Sequence, residues 1–310
     1  MTREELRDII LSIRTRENIS NEILEKDYYV CLVLKELSRK QDELQAYFKG
    51  GTAVYKILNN MNRFSEDIDL TVKVIGTDSK TSNIRRLKKS ALDYKIPSLE
   101  LINEETIDRK GSVTSFYKYE PLFADNRLFK QGRIQIEATS FTISEPVKKY
   151  NIEPLIYKFA NDFEREILKN KFGISNFDIE IISLERIFVD KIFAIEFYYI
   201  RGLYKDVAKH LYDIVILFDN YEIKKLLDDK DELKRLILYK RKEEEIRIGG
   251  IDKNTKISNF KYLNEKFNDE LVNSFILMQN TYVFDDKYKI SIDKVVEIVN
   301  NLKDIFINLE

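Results

Sequence analysis

The sequence predicts an α+β fold, with strands and helices mixed in the N-terminal half and an all-helical C-terminal half. Three observations predict it. Glycine and proline number only 9 and 4 in 310 residues, against a usual combined share of roughly 12%, which favours long uninterrupted elements. Short β-branched and aromatic alternations fall before Phe141, whereas later apolar residues recur at helical spacing. The length suggests about two domains, and Ser144-Glu145-Pro146-Val147-Lys148-Lys149, with Pro154 close behind, marks a boundary between 1–145 and 146–310.

The elements follow in order. Ile9, Ile10 and Ile13 form one helical face, and Ile23, Tyr28, Val30, Leu32 and Leu34 form a second. Residues 45–49 are a short apolar strand ending in Gly50-Gly51-Thr52, after which Ala53–Leu58 reads as a helix entered from a Thr52 cap. The word Arg63-Phe64-Ser65-Glu66-Asp67-Ile68-Asp69-Leu70-Thr71-Val72 ends in strand-like alternation. A basic helix over 82–95 carries Arg85, Arg86, Lys88 and Lys89, a solvated face by default and an RNA-backbone contact in the sharper reading. Ser112–Tyr119 and Arg133–Phe141 read as strands, and helices follow over 184–201, 205–219, 222–247, 265–280 and 292–308. The charge run Lys240–Arg247 reads as a solvated helix face.

Composition narrows the chemistry. With 52 basic and 53 acidic residues the net charge is −1, which argues against a protein that coats nucleic acid through a whole-surface field. A local basic cleft around an acidic metal site remains compatible with it. One cysteine, Cys31, excludes an internal disulfide and fits a reducing compartment. One histidine, His210, excludes a multi-histidine metal centre and leaves little room for Ser-His-Asp chemistry. No apolar run approaches the ~18 residues of a membrane span, and the acidic, helical first residues are unlike a targeting signal. The expected setting is cytoplasmic, with no membrane partner.

Three features carry the chemistry. Gly50-Gly51-Thr52 lies between a strand and a helix, where glycine admits close approach of a phosphate and the helix start offers free N–H groups. Alone, this is ordinary turn chemistry. Asp67-Ile68-Asp69 places two carboxylates two residues apart, on one side of an extended strand, where a divalent cation would offset their repulsion. Glu137 alternates with Ile134, Ile136 and Ala138, and becomes a third carboxylate at the pair if its strand lies beside the aspartate strand. The aspartate pair is also readable as a solvated strand end, and Glu137 as a surface residue.

Together these features resemble the nucleotidyltransferase superfamily with a polymerase-β-like core. Phe48-Lys49-Gly50-Gly51-Thr52-Ala53, Arg63-Phe64-Ser65-Glu66-Asp67-Ile68-Asp69-Leu70 and Glu25-Lys26-Asp27-Tyr28-Tyr29-Val30 resemble the AbiEii/AbiGii abortive-infection toxins, which include the MenT-type toxins. The resemblance covers roughly residues 20–220 and extends to Lys191 on one helix and Asp213 on the next, in Lys209-His210-Leu211-Tyr212-Asp213-Ile214. Arg201 fits the pattern, whereas Lys209 stands where an arginine is common.

The resemblance implies a mixed sheet with flanking helices and a helical domain that completes a nucleotide cleft. It implies transfer of a nucleoside monophosphate from an NTP, with pyrophosphate leaving. Asp67, Asp69 and Glu137 would hold two Mg²⁺ ions, and Lys191 and Asp213 would complete the catalytic set. Gly50, Gly51, Thr52, Ser65, Lys191, Arg201, Lys209 and His210 would contact the nucleotide. The implied acceptor is RNA, with the tRNA 3′ end foremost, and the implied role is the toxin of a phage-defence toxin–antitoxin pair whose cognate antitoxin is encoded nearby. Two rivals stand beside it: transfer to a protein hydroxyl of the antitoxin or of the toxin itself, with Ser65 a candidate, and a catalytically dead nucleotide- or RNA-binding module.

Overall fold

Chain contacts divide the protein into two units, Met1–Asn59 with Ser65–Ile181, and Asn60–Phe64 with Ile182–Glu310. The structure is a computed structural model and describes residues 3–60, 63–123 and 132–309.

The first unit opens with α1 (Arg3–Glu17), α2 (Asn21–Ser38) and the single turn α3 (Gln41–Leu44). The α1 face predicted from Ile9, Ile10 and Ile13 is buried, as are Ile23, Tyr28, Val30 and Leu34 of α2. Next come β1 (Ala46–Lys49), α4 (Gly50–Leu58), β2 (Ile68–Val72) and α5 (Lys80–Leu92). Ser79 starts α5 by accepting a hydrogen bond from the Ser82 amide at 3.1 Å, a cap that satisfies one of the free donors of the first turn. The remaining elements are β3 (Glu100–Leu101), β4 (Ile107–Arg109), β5 (Ser112–Lys118), β6 (Arg133–Thr139), β7 (Val147–Ile152), α6 (Leu155–Lys158), α7 (Asp162–Phe172) and β8 (Phe177–Ile182).

The strands form one mixed sheet in the order β3-β5-β6-β2-β1-β8-β7, with β4 paired to β5. β2 runs antiparallel to β1 and parallel to β6. Ile134, Ile136 and Ala138 of β6 are fully buried, as are Ile68 and Leu70 of β2, so the period-two pattern sends Glu137 and Asp69 to the other face. Pairing then fixes which polar residues meet. Lys49 of β1 is the partner of Asp69, and Asp69 is the partner of Glu137. Thr114 of β5 follows in the same row.

The structure departs from the sequence expectation in several places. The stretch after residue 145 was expected to lack strands, yet β7 and β8 join the sheet, and the contact boundary lies at Ile181–Ile182 instead of near 145. β7 ends the strand order, so its one-sided burial tolerates Lys148 and Lys149 and hides the alternation. The Thr52 cap is also corrected. α4 starts at Gly50, with Lys49 in the cap position and no side-chain cap, while Thr52 is buried in the first turn and bonds elsewhere.

The second unit contains α8 (Leu184–Tyr199), α9 (Tyr204–Phe218), α10 (Tyr221–Asp228), α11 (Lys230–Ile246), α12 (Lys261–Asn264), α13 (Asp269–Tyr282) and α14 (Ile292–Leu309). The helix expected over 222–247 is two helices, because the Asp229 carboxylate accepts from the Glu232 amide at 3.0 Å and starts α11 afresh. The charge run expected to be solvated is partly internal, since Lys240, Glu243 and Glu244 are buried. Lys240 pairs with both glutamates, at 3.3 and 2.9 Å, and Arg186 of α8 joins Glu243 to Asp190. A cation from a neighbouring helix turns what looks like a surface run into an interior network. Among the described residues, no helix is long and apolar enough to cross a membrane.

Candidate active site

The first unit supplies the carboxylates. Gly50 follows β1 with φ +82°, a left-handed conformation that glycine adopts without steric cost. A Cβ there would lie 2.1 Å from Asp69 Oδ2 and 3.0 Å from its Cγ. The Asp69 carboxylate therefore occupies space that only a glycine leaves open. Glu137 is Asp69's partner on the neighbouring parallel strand, so the two acidic side chains emerge side by side from one face. Asp67 lies just before β2 begins, half-buried.

Thr52 fixes that approach. Its hydroxyl donates to the Asp67 carbonyl at 2.6 Å and lies 2.9 Å from Ser65 Oγ. At 1% exposure, Thr52 thus positions the segment entering β2. Lys26, also buried, places its ammonium 3.1 Å from Glu66 and donates to the Arg133 carbonyl at the start of β6. One lysine of α2 thereby ties together the approaches to both acidic strands. Beside it, Asp27 accepts from Tyr55 at 3.0 Å, from the Leu155 amide at 2.8 Å, and from Lys56. This buried carboxylate locks α2 to α4 and α6. Cys31 belongs to the same cluster, and burial followed by the Asp27 charge pushes its thiol up to about 12.

Asp67, Asp69 and Glu137 are oxygen donors of the kind a hard divalent cation takes. Among the described residues, the Asp67 and Glu137 carboxylates have no ion pair or side-chain hydrogen bond. No three carboxylate, imidazole or thiol side chains among the described residues converge closely enough, as they stand, to hold a metal ion. The fit to a metal lies in the donor chemistry, the β2–β6 register and the opening that Gly50 leaves at Asp69.

The second unit supplies a cationic cluster. Arg63 grips Asp213 with both prongs of its guanidinium, Nε to Oδ1 at 3.0 Å and Nη2 to Oδ2 at 2.9 Å. Lys191 donates to the same Oδ2 at 2.5 Å. All three side chains are buried. Burial alone would raise the Asp213 carboxyl, but the two cations outweigh it and hold the group well below the usual carboxylate range. Two positive charges on one negative leave the cluster with one net positive charge.

His210, half-buried on α9, is pushed down to about 3, first by burial and then by the Lys191 cation. It is neutral, stacks on Tyr198 with centroids 5.5 Å apart, and leaves Nδ1 buried without a hydrogen-bond partner. Lys209 lies 5.6 Å from the Tyr282 ring centre and 4.0 Å from Asp206. Arg201 packs over Phe197 and donates to the Phe197 and Gly249 carbonyls, so its polar reach is taken up locally.

The residues singled out in the sequence thus fall into two groups. Gly50, Thr52, Ser65, Asp67, Asp69 and Glu137 are brought together in the first unit, with Gly51 in the first turn of α4. Lys191, His210 and Asp213 come together in the second, whereas Arg201 makes its own contacts with Phe197 and Gly249. Arg63 and Lys26 were missed as site residues. Arg63 opens the very word that contains Asp67 and Asp69, and Lys26 sits between two other charges on a largely buried stretch of α2.

Comparison with known proteins gives the family and a likeness of fold. The family described as nucleotidyl transferase AbiEii toxin, type IV toxin–antitoxin system, matches residues 32–290. Among solved structures, the chain is similar to MenT4, a nucleotidyltransferase toxin from Mycobacterium tuberculosis H37Rv. The TM-score is 0.60 at 14% identity, covering 98% of this chain and 90% of that one, a likeness of fold. No curated protein sequence matches the chain.

Proposed function

Because the chain belongs to the AbiEii nucleotidyltransferase toxin family of type IV toxin–antitoxin systems, we propose that it moves a nucleoside monophosphate from an NTP to a hydroxyl of an RNA acceptor, foremost the tRNA 3′ end. The observation that carries this reading is the β2–β6 register that sets Asp69 beside Glu137, with Gly50 backed against Asp69. Asp67, Asp69 and Glu137 would hold Mg²⁺, with Thr52 and Lys26 keeping the strand entrances in place. The metal, when bound, neutralises phosphate charge and lowers the pKa of the attacking hydroxyl. In the second unit the Arg63–Asp213–Lys191 cluster offers its surplus positive charge to phosphate oxygens, and neutral His210 offers an unpaired ring nitrogen. Positioning and charge stabilisation suffice for such a transfer, and no side-chain nucleophile is required. Transfer of this kind to tRNA would arrest growth, and a cognate antitoxin acting in phage defence would restrain it.

The test is incubation of the protein with Mg²⁺, each α-labelled NTP and unfractionated tRNA. Label appears on RNA with wild-type protein and is lost with Asp69→Asn or Asp67→Ala. Label confined to protein refutes the RNA reading, and transfer that survives Asp69→Asn refutes the site.

A further inference from the structure

The second unit carries an open cavity of about 460 Å³ between α11, the turn 252–256 and the end of α14. Its lining among the described residues includes Lys234, Arg241, Lys253 and Lys256, and no carboxylate. In a chain with 52 basic and 53 acidic residues, four cations gathered in one lining form a local field that the overall balance conceals.

The cations are held in different ways. Arg241 is fixed, donating to the Asp252 carbonyl at 3.3 Å and the Thr255 carbonyl at 2.5 Å. Its guanidinium lies 5.2 Å from the Phe193 ring centre. Lys253 reaches Glu245 only at 3.9 Å, with both side chains mostly exposed. Lys234 and Lys256 are exposed, and their ammonium groups have no ion pair or hydrogen bond among the described residues. The nearby Asp252 carboxylate is turned into its own turn, accepting from the Asn254 amide at 2.7 Å. One rigid cation, one loosely paired lysine and two unengaged lysines face the same open space.

We propose that this cavity is a phosphate-binding surface that holds the backbone of the acceptor RNA. The assignment rests on the reading that the acceptor is RNA. A strand presents successive phosphates to several cations at once, and the counterions they release drive the association. No aromatic side chain lines the cavity among the described residues, so a base has no stacking platform. The surface therefore recognises charge and spacing without reading sequence, which favours a polynucleotide over a mononucleotide.

The experiment uses the full chain and fluorescein-labelled unfractionated tRNA, with binding followed by anisotropy across a salt series. Lys234→Glu/Lys256→Glu weakens binding by about tenfold or more, and the slope of log affinity against log salt falls by about 1.4–1.8 for two lost contacts. Lys234→Arg/Lys256→Arg retains wild-type binding, and the urea midpoints stay together because both lysines are exposed. Equal RNA binding by the wild type and the Glu double variant overturns the assignment, as does a wild type that binds no tRNA. A variant that raises the KM for NTP but binds tRNA normally overturns it in favour of a mononucleotide site. The two readings separate cleanly. Transfer to RNA that is indifferent to Lys234 and Lys256 sinks only this surface, whereas RNA bound through them but never labelled sinks only the acceptor.

Discussion

Gly50→Ala measures how far the site depends on one missing methyl group. The residue sits at φ +82°, where an L side chain costs about 1–2 kcal/mol. The new Cβ would lie 2.1 Å from Asp69 Oδ2, so the carboxylate must retreat by about 1 Å or more to reach ordinary contact. A displacement of that size at a reacting centre costs about 10²-fold in rate. The expected result is a loss of about 100-fold in label transfer from NTP, with stability lowered by only ~1–2 kcal/mol in urea unfolding. Gly173→Ala is the matched control. It has φ +64°, but a Cβ added there would meet nothing within 4 Å, so it carries the backbone cost without touching a carboxylate. It should lose about 1 kcal/mol and keep its rate. If Gly50→Ala is folded and transfers nucleotide within about threefold of wild type, the argument that this glycine shapes the Asp69 site is wrong.

Other expectations follow from the buried charges. Asp213→Ala leaves Arg63 and Lys191 buried without their shared partner, and should cost about 3–5 kcal/mol in urea unfolding; a cost below ~1 kcal/mol would show that the cluster is already hydrated. His210, at about 3 in the folded protein against ~6.5 unfolded, contributes no pH dependence above ~6.5 and an increasing loss of stability as pH falls from there towards 3. His210→Phe should flatten that loss in urea midpoints, and an unchanged slope would refute the assignment. Glu25 acts with the opposite sign: burial raises it to about 7, so stability falls as pH rises from ~4.5 through 7, and Glu25→Gln should remove that component. Cys31, buried with its thiol pushed up to about 12, should react with iodoacetamide only on unfolding; labelling of the native protein at the rate of a free thiol would contradict its burial.

Much of the first unit was legible because one strand face is buried. Alternation around Ile134 and Ile136 placed Glu137, and a single parallel pairing brought it to Asp69. What escaped the sequence shares one cause, namely charges whose partners lie far along the chain. Arg63 meets Asp213 across 150 positions, and no periodicity links them. Lys240 and Glu243 looked solvated because α8's Arg186 belongs to another helix. Lys26 did leave a signal. Glu25, Lys26 and Asp27 stand consecutively between the apolar runs of α2 and are all buried, and three adjacent charges cannot all face water from a helix packed on its neighbours. β7 was hidden for the opposite reason, because its place at the end of the strand order lets lysines stand where alternation would otherwise show.

The assignment of Asn60–Phe64 to the second unit bears on the timing of synthesis. Arg63 emerges from the ribosome 150 residues before Asp213, an interval of about 8–30 s at usual elongation rates. Through that interval the guanidinium's native partner Asp213 does not yet exist, and the Lys191 ammonium waits for the last 22 of those residues. The cationic cluster closes only after most of the chain exists. A ribosome that stalls between residues 69 and 213 would therefore release a fragment carrying both aspartates of the Asp67-Ile68-Asp69 word but unable to complete the charged interior of its second unit.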